Sequence, residues 1–164
     1  MALVFAATVV QSKNELGLNG EKMMAFGLLH YEGFSNNLGD EIQSLAARAF
    51  LPQVDFHVAR EGLKSFSSTE RTKLILNGWF MHEPSEWPPS KDIEPLLTSF
   101  HLHQANPAVR QKLLGGAGRE YFLSYGKPVG ARDLATLDLF RAAQIPAFFS
   151  GCLTLTLQQN PQIE

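Results

Sequence analysis

An α/β fold, with a mostly parallel sheet covered by helices on both faces, is predicted by three observations. Short apolar runs bounded by turn residues recur along the chain, and helix-period stretches separate several of them. The runs are continuous rather than alternating, as strands buried on both faces require. Polar residues stand at the end of nearly every run.

The first strand candidate is residues 23–29, MMAFGLL. A loop rich in Asn, Gly and Asp follows it. Ile42, Leu45, Ala46, Ala49 and Phe50 then recur at the spacing of one helix face. Asp40 before that face, with Gln43 three residues on, reads as an N-cap and its box partner, and Pro52 stops the helix. Further strand candidates are Val54 to Ala59, Leu74 to Leu76, Leu96 to Phe100, Pro128 to Ala131 and Ala147 to Phe149. A second helix opens after Asn106-Pro107 and runs toward Tyr121, weakened by Gly115, Gly116 and Gly118. A third opens at Asp133 and carries Leu134, Leu137, Phe140 and Ala143 before Pro146. The stretch 61–72 is too short for a long crossover helix. Thr154 and Thr156 alternate with leucines, which suits a half-buried strand or a pair of hydroxyls facing a ligand. Residues 1–22 read as an extension, in which Met1 to Val10 would make an extra strand, and 23–164 as the domain proper.

The chain has 164 residues, 45% of them hydrophobic and 18% charged, which is a globular composition with one real core. Its net charge is -2, and Lys and Arg are scattered without a basic stripe, so duplex nucleic acid is not an expected partner. The single cysteine, Cys152, forms no disulfide within the chain and suits a reducing compartment. Met1 to Val10 is too short to span a bilayer and lacks a basic leader, so the sequence predicts a soluble, cytoplasmic protein.

In parallel sheets ligands gather at the carboxyl ends of the strands. That rule selects the loops holding Asn36, Asn37, Gly39 and Asp40; Asn77, Gly78 and Trp79; His101 and His103; Arg132 and Asp133; and Ser150 and Gly151. The first loop lacks the Gly-x-Gly-x-x-Gly spacing of a pyrophosphate cradle. Its Asn residues and Gly39 supply turn geometry and amide groups, and a capping Asp40 carboxylate favours a hydroxyl-bearing ligand over a phosphate. The plainer account is a turn and a cap. Trp79 stacks on a sugar ring or belongs to the core. His101 is a candidate general acid or base near neutral pH, or a hydrogen-bonded structural histidine. Two histidines without a third ligand at usable spacing make no metal site. Arg132 fits a carboxylate or phosphate in two-pronged fashion, or pairs with a neighbouring carboxylate on the surface. Asp133 reads as the N-cap of its helix. Cys152 lacks an adjacent base and reads as packing.

SNNLGDEIQ, LILNGWF, the strand ending SFH, PVGARD and FFSGCLTLTL occur in this order. Together they resemble the polysaccharide pyruvyl transferase family over roughly residues 23–157. The resemblance implies a Rossmann-like domain, one half of a fold like that of the B-type glycosyltransferases. It implies transfer of a pyruvyl group from phosphoenolpyruvate, with no further cofactor, onto a sugar of a surface polysaccharide as a ketal. His101 and Arg132 would then be catalytic, and the other loop residues would hold the acceptor. Ala131 stands where many relatives carry Cys. The chain resembles the first half only, so the donor side would come from a homo-oligomer or a separate second-half polypeptide, or the activity would be lost. The rival expectations are a non-catalytic sugar- or nucleotide-binding module and a nucleotide-sugar glycosyltransferase.

Overall fold

The computed structural model describes residues 24–31 and 36–158. The predicted extension, including the strand expected at Met1 to Val10, lies outside the described residues. Six strands form one all-parallel sheet: β1 (Ala25–His30), β2 (Phe56–Ala59), β3 (Thr72–Phe80), β4 (Ile93–Leu102), β5 (Val129–Ala131) and β6 (Ala147–Phe149). Their order across the sheet is β2-β1-β3-β4-β5-β6. Four helices join them: α1 (Leu38–Arg48), α2 (Pro107–Leu114), α3 (Gly116–Ser124) and α4 (Leu134–Ala142). This is an α/β, Rossmann-like fold.

The order fixes how the two faces are covered. From β1 the chain steps one way to β2 through α1, and then returns past β1 to β3 and moves the other way for the rest of the sheet. Crossovers are right-handed, so opposite steps place their connections on opposite faces. One face therefore carries α2, α3 and α4 over a large core that includes Leu74, Leu76, Phe80, Phe100, Phe122 and Phe140. The other carries α1 and a smaller core of Phe26, Ala47, Leu51 and Ile75, with Leu96 and Leu153 packed against it. Adjacent residues Leu74, Ile75 and Leu76 serve the two cores in alternation, which is why the strand is apolar without a break.

The large core is held by aromatic rings. Phe80 stacks on Phe100 with centroids 4.3 Å apart, and Trp87 stacks on Phe122 at 5.1 Å. All four are buried, and each contributes on the order of 2–3 kcal/mol of transfer free energy.

Several elements depart from the sequence expectation. The strand expected at Leu74 to Leu76 runs from Thr72 to Phe80, so Asn77 and Gly78 lie inside it rather than in a loop. β4 extends beyond Leu96 to Phe100 at both ends and includes Pro95. A central strand disfavours proline. Here β4 meets β5 only at Phe100 and Ala131, so at Pro95 it has β3 alone as a paired neighbour. The helix expected from Pro107 toward Tyr121 breaks into α2 and α3 at Gly115, where extended backbone is followed by Gly116 with φ +47. Thr154 and Thr156 lie in a 3-10 turn, Leu153–Thr156, not in a strand.

The largest correction concerns α1. Its N-cap is Asn37, whose side chain accepts from the Gly39 N–H at 3.0 Å; Asp40 sits one turn further in. The predicted apolar face is buried only in part: Ala46 is fully buried and Phe50 packs against the smaller core, but Leu45 and Ala49 are exposed. Asp40, Gln43, Ser44 and Ala47 point inward, while Leu38 is 71% and Leu45 62% exposed. The inward set has the same helical period, and two of its polar members bond outside the helix: Ser44 donates to the Leu29 carbonyl at 2.6 Å, and Asp40 accepts from Arg60 at 3.3 Å. Among the described residues no helix is long and apolar enough to cross a membrane.

Candidate functional site

Between β1 and β3 the chain runs off in opposite directions, and it is outside the carboxyl ends of the strands at such a switch point that parallel sheets bind ligands. The sequence places charged and ring-bearing side chains on that rim, from Arg60 beyond β2 to Asp133 beyond β5.

Arg60, the first residue past β2, is fully buried. Its Nε donates to Glu61 at 2.7 Å and its Nη1 to Asp40 at 3.3 Å. Nη1 also lies 3.2 Å from the Trp79 carbonyl. The guanidinium sits over two rings, 4.8 Å from the centroid of Tyr31 and 5.3 Å from that of Trp79. Nη2 has no partner among the described residues. Burial pushes the Tyr31 phenol up to about 12, so that wall of the cluster stays uncharged. Arg60 thus joins the start of α1 to the ends of β2 and β3, and it brings Asp40 into the same neighbourhood as Trp79.

Trp79 is half-buried, and two exposed imidazoles stand steeply to its ring: His82 at 4.1 Å and 64°, and His103 at 5.7 Å and 85°. On the neighbouring strand Trp79 is the register partner of His101. That pairing depends on a bulge. Leu76 pairs with Leu97, but Gly78 pairs with Phe100, so β4 holds one residue more than β3 in this stretch. Ser99, with φ 50, takes up the extra length. Its N–H donates to Ser150 Oγ at 3.1 Å and its hydroxyl to the Gly151 carbonyl at 2.8 Å. Ser150 donates in turn to the Ala131 carbonyl at 3.0 Å. The polar groups of Ser150 and Gly151 are therefore engaged in holding the bulge.

His101 is half-buried and its Nδ1 lies in close contact with Asp133 Oδ2. Asp133 caps α4, as the sequence predicts: Oδ1 accepts from the Thr136 N–H at 2.8 Å. The buried Thr136 hydroxyl accepts from the Leu102 N–H at 3.1 Å and lies 3.4 Å from His101 Nδ1. Burial pushes the His101 pKa down, Asp133 pulls it part of the way back, and the positive charge of Arg132 adds to the fall. Desolvation would raise the Asp133 pKa, but the bonds from Thr136 and His101 outweigh it and hold the carboxyl below its ordinary value. Both directions describe one state at neutral pH: an ionised carboxylate accepting from Nδ1–H of a neutral imidazole, with the lone pair on Nε2. That is the arrangement of a positioned general base. Arg132 stands beside it, its Nε 3.9 Å from Asp133 Oδ2 and 24% of its side chain exposed.

Trp79, His101, Arg132, Asp133 and Asp40 therefore share one continuous rim. Asn36 and Asn37 are exposed at the start of α1, the helix that carries Asp40. Asn77 is buried, and its Nδ2 donates to the Gln43 carbonyl at 3.0 Å, tying β3 to α1. Gly78 has φ +98, and a Cβ there would meet Gln43 Oε1 at 2.8 Å. Gly78→Ala is expected to destabilise the fold by roughly 1–3 kcal/mol, readable in thermal denaturation.

Sequence reasoning missed Arg60, Glu61 and His82. The strand-end rule applied to β2 selects the first two, and a correctly placed end of β3 selects the third. Among the described residues no three His, Cys, Asp or Glu side chains are grouped to hold a metal ion. Compared with known proteins, the chain matches no family model, no curated protein and no solved structure.

Proposed function

We propose that this domain is the acceptor half of a pyruvyl transferase, which binds a sugar of a surface polysaccharide at the strand-end rim and moves onto it the pyruvyl group of phosphoenolpyruvate. The observation that carries the reading is the His101–Asp133 pair beside Arg132. Ketal formation needs a base for a sugar hydroxyl and an acid for the methylene carbon of the enol. His101 Nε2 takes the proton of the attacking hydroxyl as its oxygen bonds to C2. The C2=C3 π electrons take a proton from solvent at the methylene carbon, and His101 returns its proton to solvent; phosphate then leaves C2 with the bonding pair as a second hydroxyl bonds there and gives its proton to that phosphate. Arg132 faces the carboxylate or phosphate of the donor and offsets its charge.

The remaining donor contacts are assigned to a second copy of the chain or to a separate second-half polypeptide. The exposed leucines, with Leu155 82% and Leu38 71% accessible, support an association of that kind. Sedimentation velocity is expected to show assembly that rises with concentration; a clean monomer throughout counts against a second copy.

The reading is tested by incubating the chain with phosphoenolpyruvate and surface glycans and measuring released phosphate together with pyruvylated product. Release of a nucleoside diphosphate from a nucleotide-sugar would instead place the chain among glycosyltransferases, and saturable sugar binding without transfer would make it a binding module.

A further inference from the structure

We propose that Trp79, His82 and His103 form a ledge for one pyranose ring, and that Arg60 is the positioning residue of its central indole. The indole is held by Arg60. Arg60 lies over its ring at 5.3 Å and donates to its carbonyl at 3.2 Å, and the guanidinium is itself immobilised by Glu61 at 2.7 Å and Asp40 at 3.3 Å. The two imidazoles are exposed and stand at 64° and 85° to the indole.

That geometry selects the ligand class. A nucleobase is flat and favours platforms with parallel planes. Imidazoles standing steeply to the indole instead offer ring nitrogens to hydroxyl groups. A pyranose matches this arrangement: its C–H groups meet the part of the indole left exposed, and its equatorial hydroxyls reach outward to the imidazole nitrogens. Because Trp79 is the register partner of His101, a ring on the ledge has its hydroxyl edge beside the His101–Asp133 pair. The ledge deepens the acceptor reading of this rim and rests on it.

The test is tryptophan emission of the full chain titrated with methyl glucopyranoside, methyl galactopyranoside and methyl mannopyranoside. The chain has two tryptophans, and the other, Trp87, is buried in the core on the helix-rich face. A saturable emission change with at least one glycoside is expected. It should disappear in Trp79→Phe and need about tenfold more glycoside in His82→Ala/His103→Ala, whose substituted residues are exposed and leave the core intact. The triple variant Arg60→Met/Asp40→Asn/Glu61→Gln removes the buried charges together. It should fold, show altered Trp79 emission before any sugar is added, and bind more weakly. An unchanged glycoside response in Trp79→Phe, no response to any glycoside, or a response to adenosine monophosphate alone overturns the ledge. Glycoside binding without phosphate release from phosphoenolpyruvate keeps the ledge and removes the transfer reading. Phosphate release undiminished in His82→Ala/His103→Ala does the reverse.

Discussion

Arg60→Met is expected to lower stability by about 3–5 kcal/mol, one of the largest effects of any single substitution in this chain. The cost does not measure the worth of the ion pairs, which desolvation largely offsets. It arises because Asp40 and Glu61 are left as buried carboxylates with no cation between them; both are at most 6% exposed. Methionine fills the space of the stem and adds no charge. Urea denaturation should show a lower midpoint with a similar slope, and the melting temperature should fall by roughly 10 °C or more. Neutralising the carboxylates as well, with Asp40→Asn and Glu61→Gln, should recover most of the loss. If Arg60→Met alone leaves the midpoint unchanged, the guanidinium is not the counter-charge of this cluster.

Asp133→Asn separates two jobs that one side chain performs. Asparagine caps a helix about as well as aspartate, so α4 should keep its stability to within about 0.5 kcal/mol. The imidazole loses the anion that fixes its Nδ1 proton, and transfer activity should fall by roughly 10²- to 10⁴-fold, as it should in His101→Gln. The pH dependence follows from the directions of the shifts. The folded pKa of His101 lies below the ordinary value near 6.5, so the rate should rise with pH through that lower value and then level off. Removing the Asp133 charge should push the rising limb further toward acid. Stability behaves consistently. Between the folded pKa and about 6.5 the unfolded chain holds the extra proton, so this group's contribution falls as pH drops through that window and is constant below it. Asp133, with its lowered pKa, contributes stability that is lost at still lower pH. Proton NMR of the His101 ring reads the first shift without any substrate; a value above 6.5 would remove the neutral-base assignment.

The sheet and its site were legible to different depths. The strand-end rule needs only the approximate position of each apolar run, so it found Trp79, His101, Arg132 and Asp133 although several boundaries were misplaced. Caps were legible where the side chain bonds locally, as at Asn106 and Asp133. Asn37 was hidden because Asp40, another good cap, stands three residues on and is used for Arg60 instead. The inward face of α1 was hidden for a related reason. Hydrophobic periodicity assumes that buried means apolar, whereas here a guanidinium and a backbone carbonyl make burial of Asp40 and Ser44 favourable. Arg60 itself carries no local signal: a charge after a strand is ordinarily solvated, and its partners lie as far off in sequence as Asp40.

The supernumerary residue near Ser99 has a consequence for how such a rim arises. Side chains of a strand alternate sides, so parity decides which of them look toward the crevice. Were the same residues drawn into an unbulged ladder, Phe100 would stand opposite Trp79 and His101 opposite Phe80, on the side of the phenylalanine cluster. One residue held out of the ladder thus decides whether that edge of the sheet carries imidazole and indole or the rings of the core.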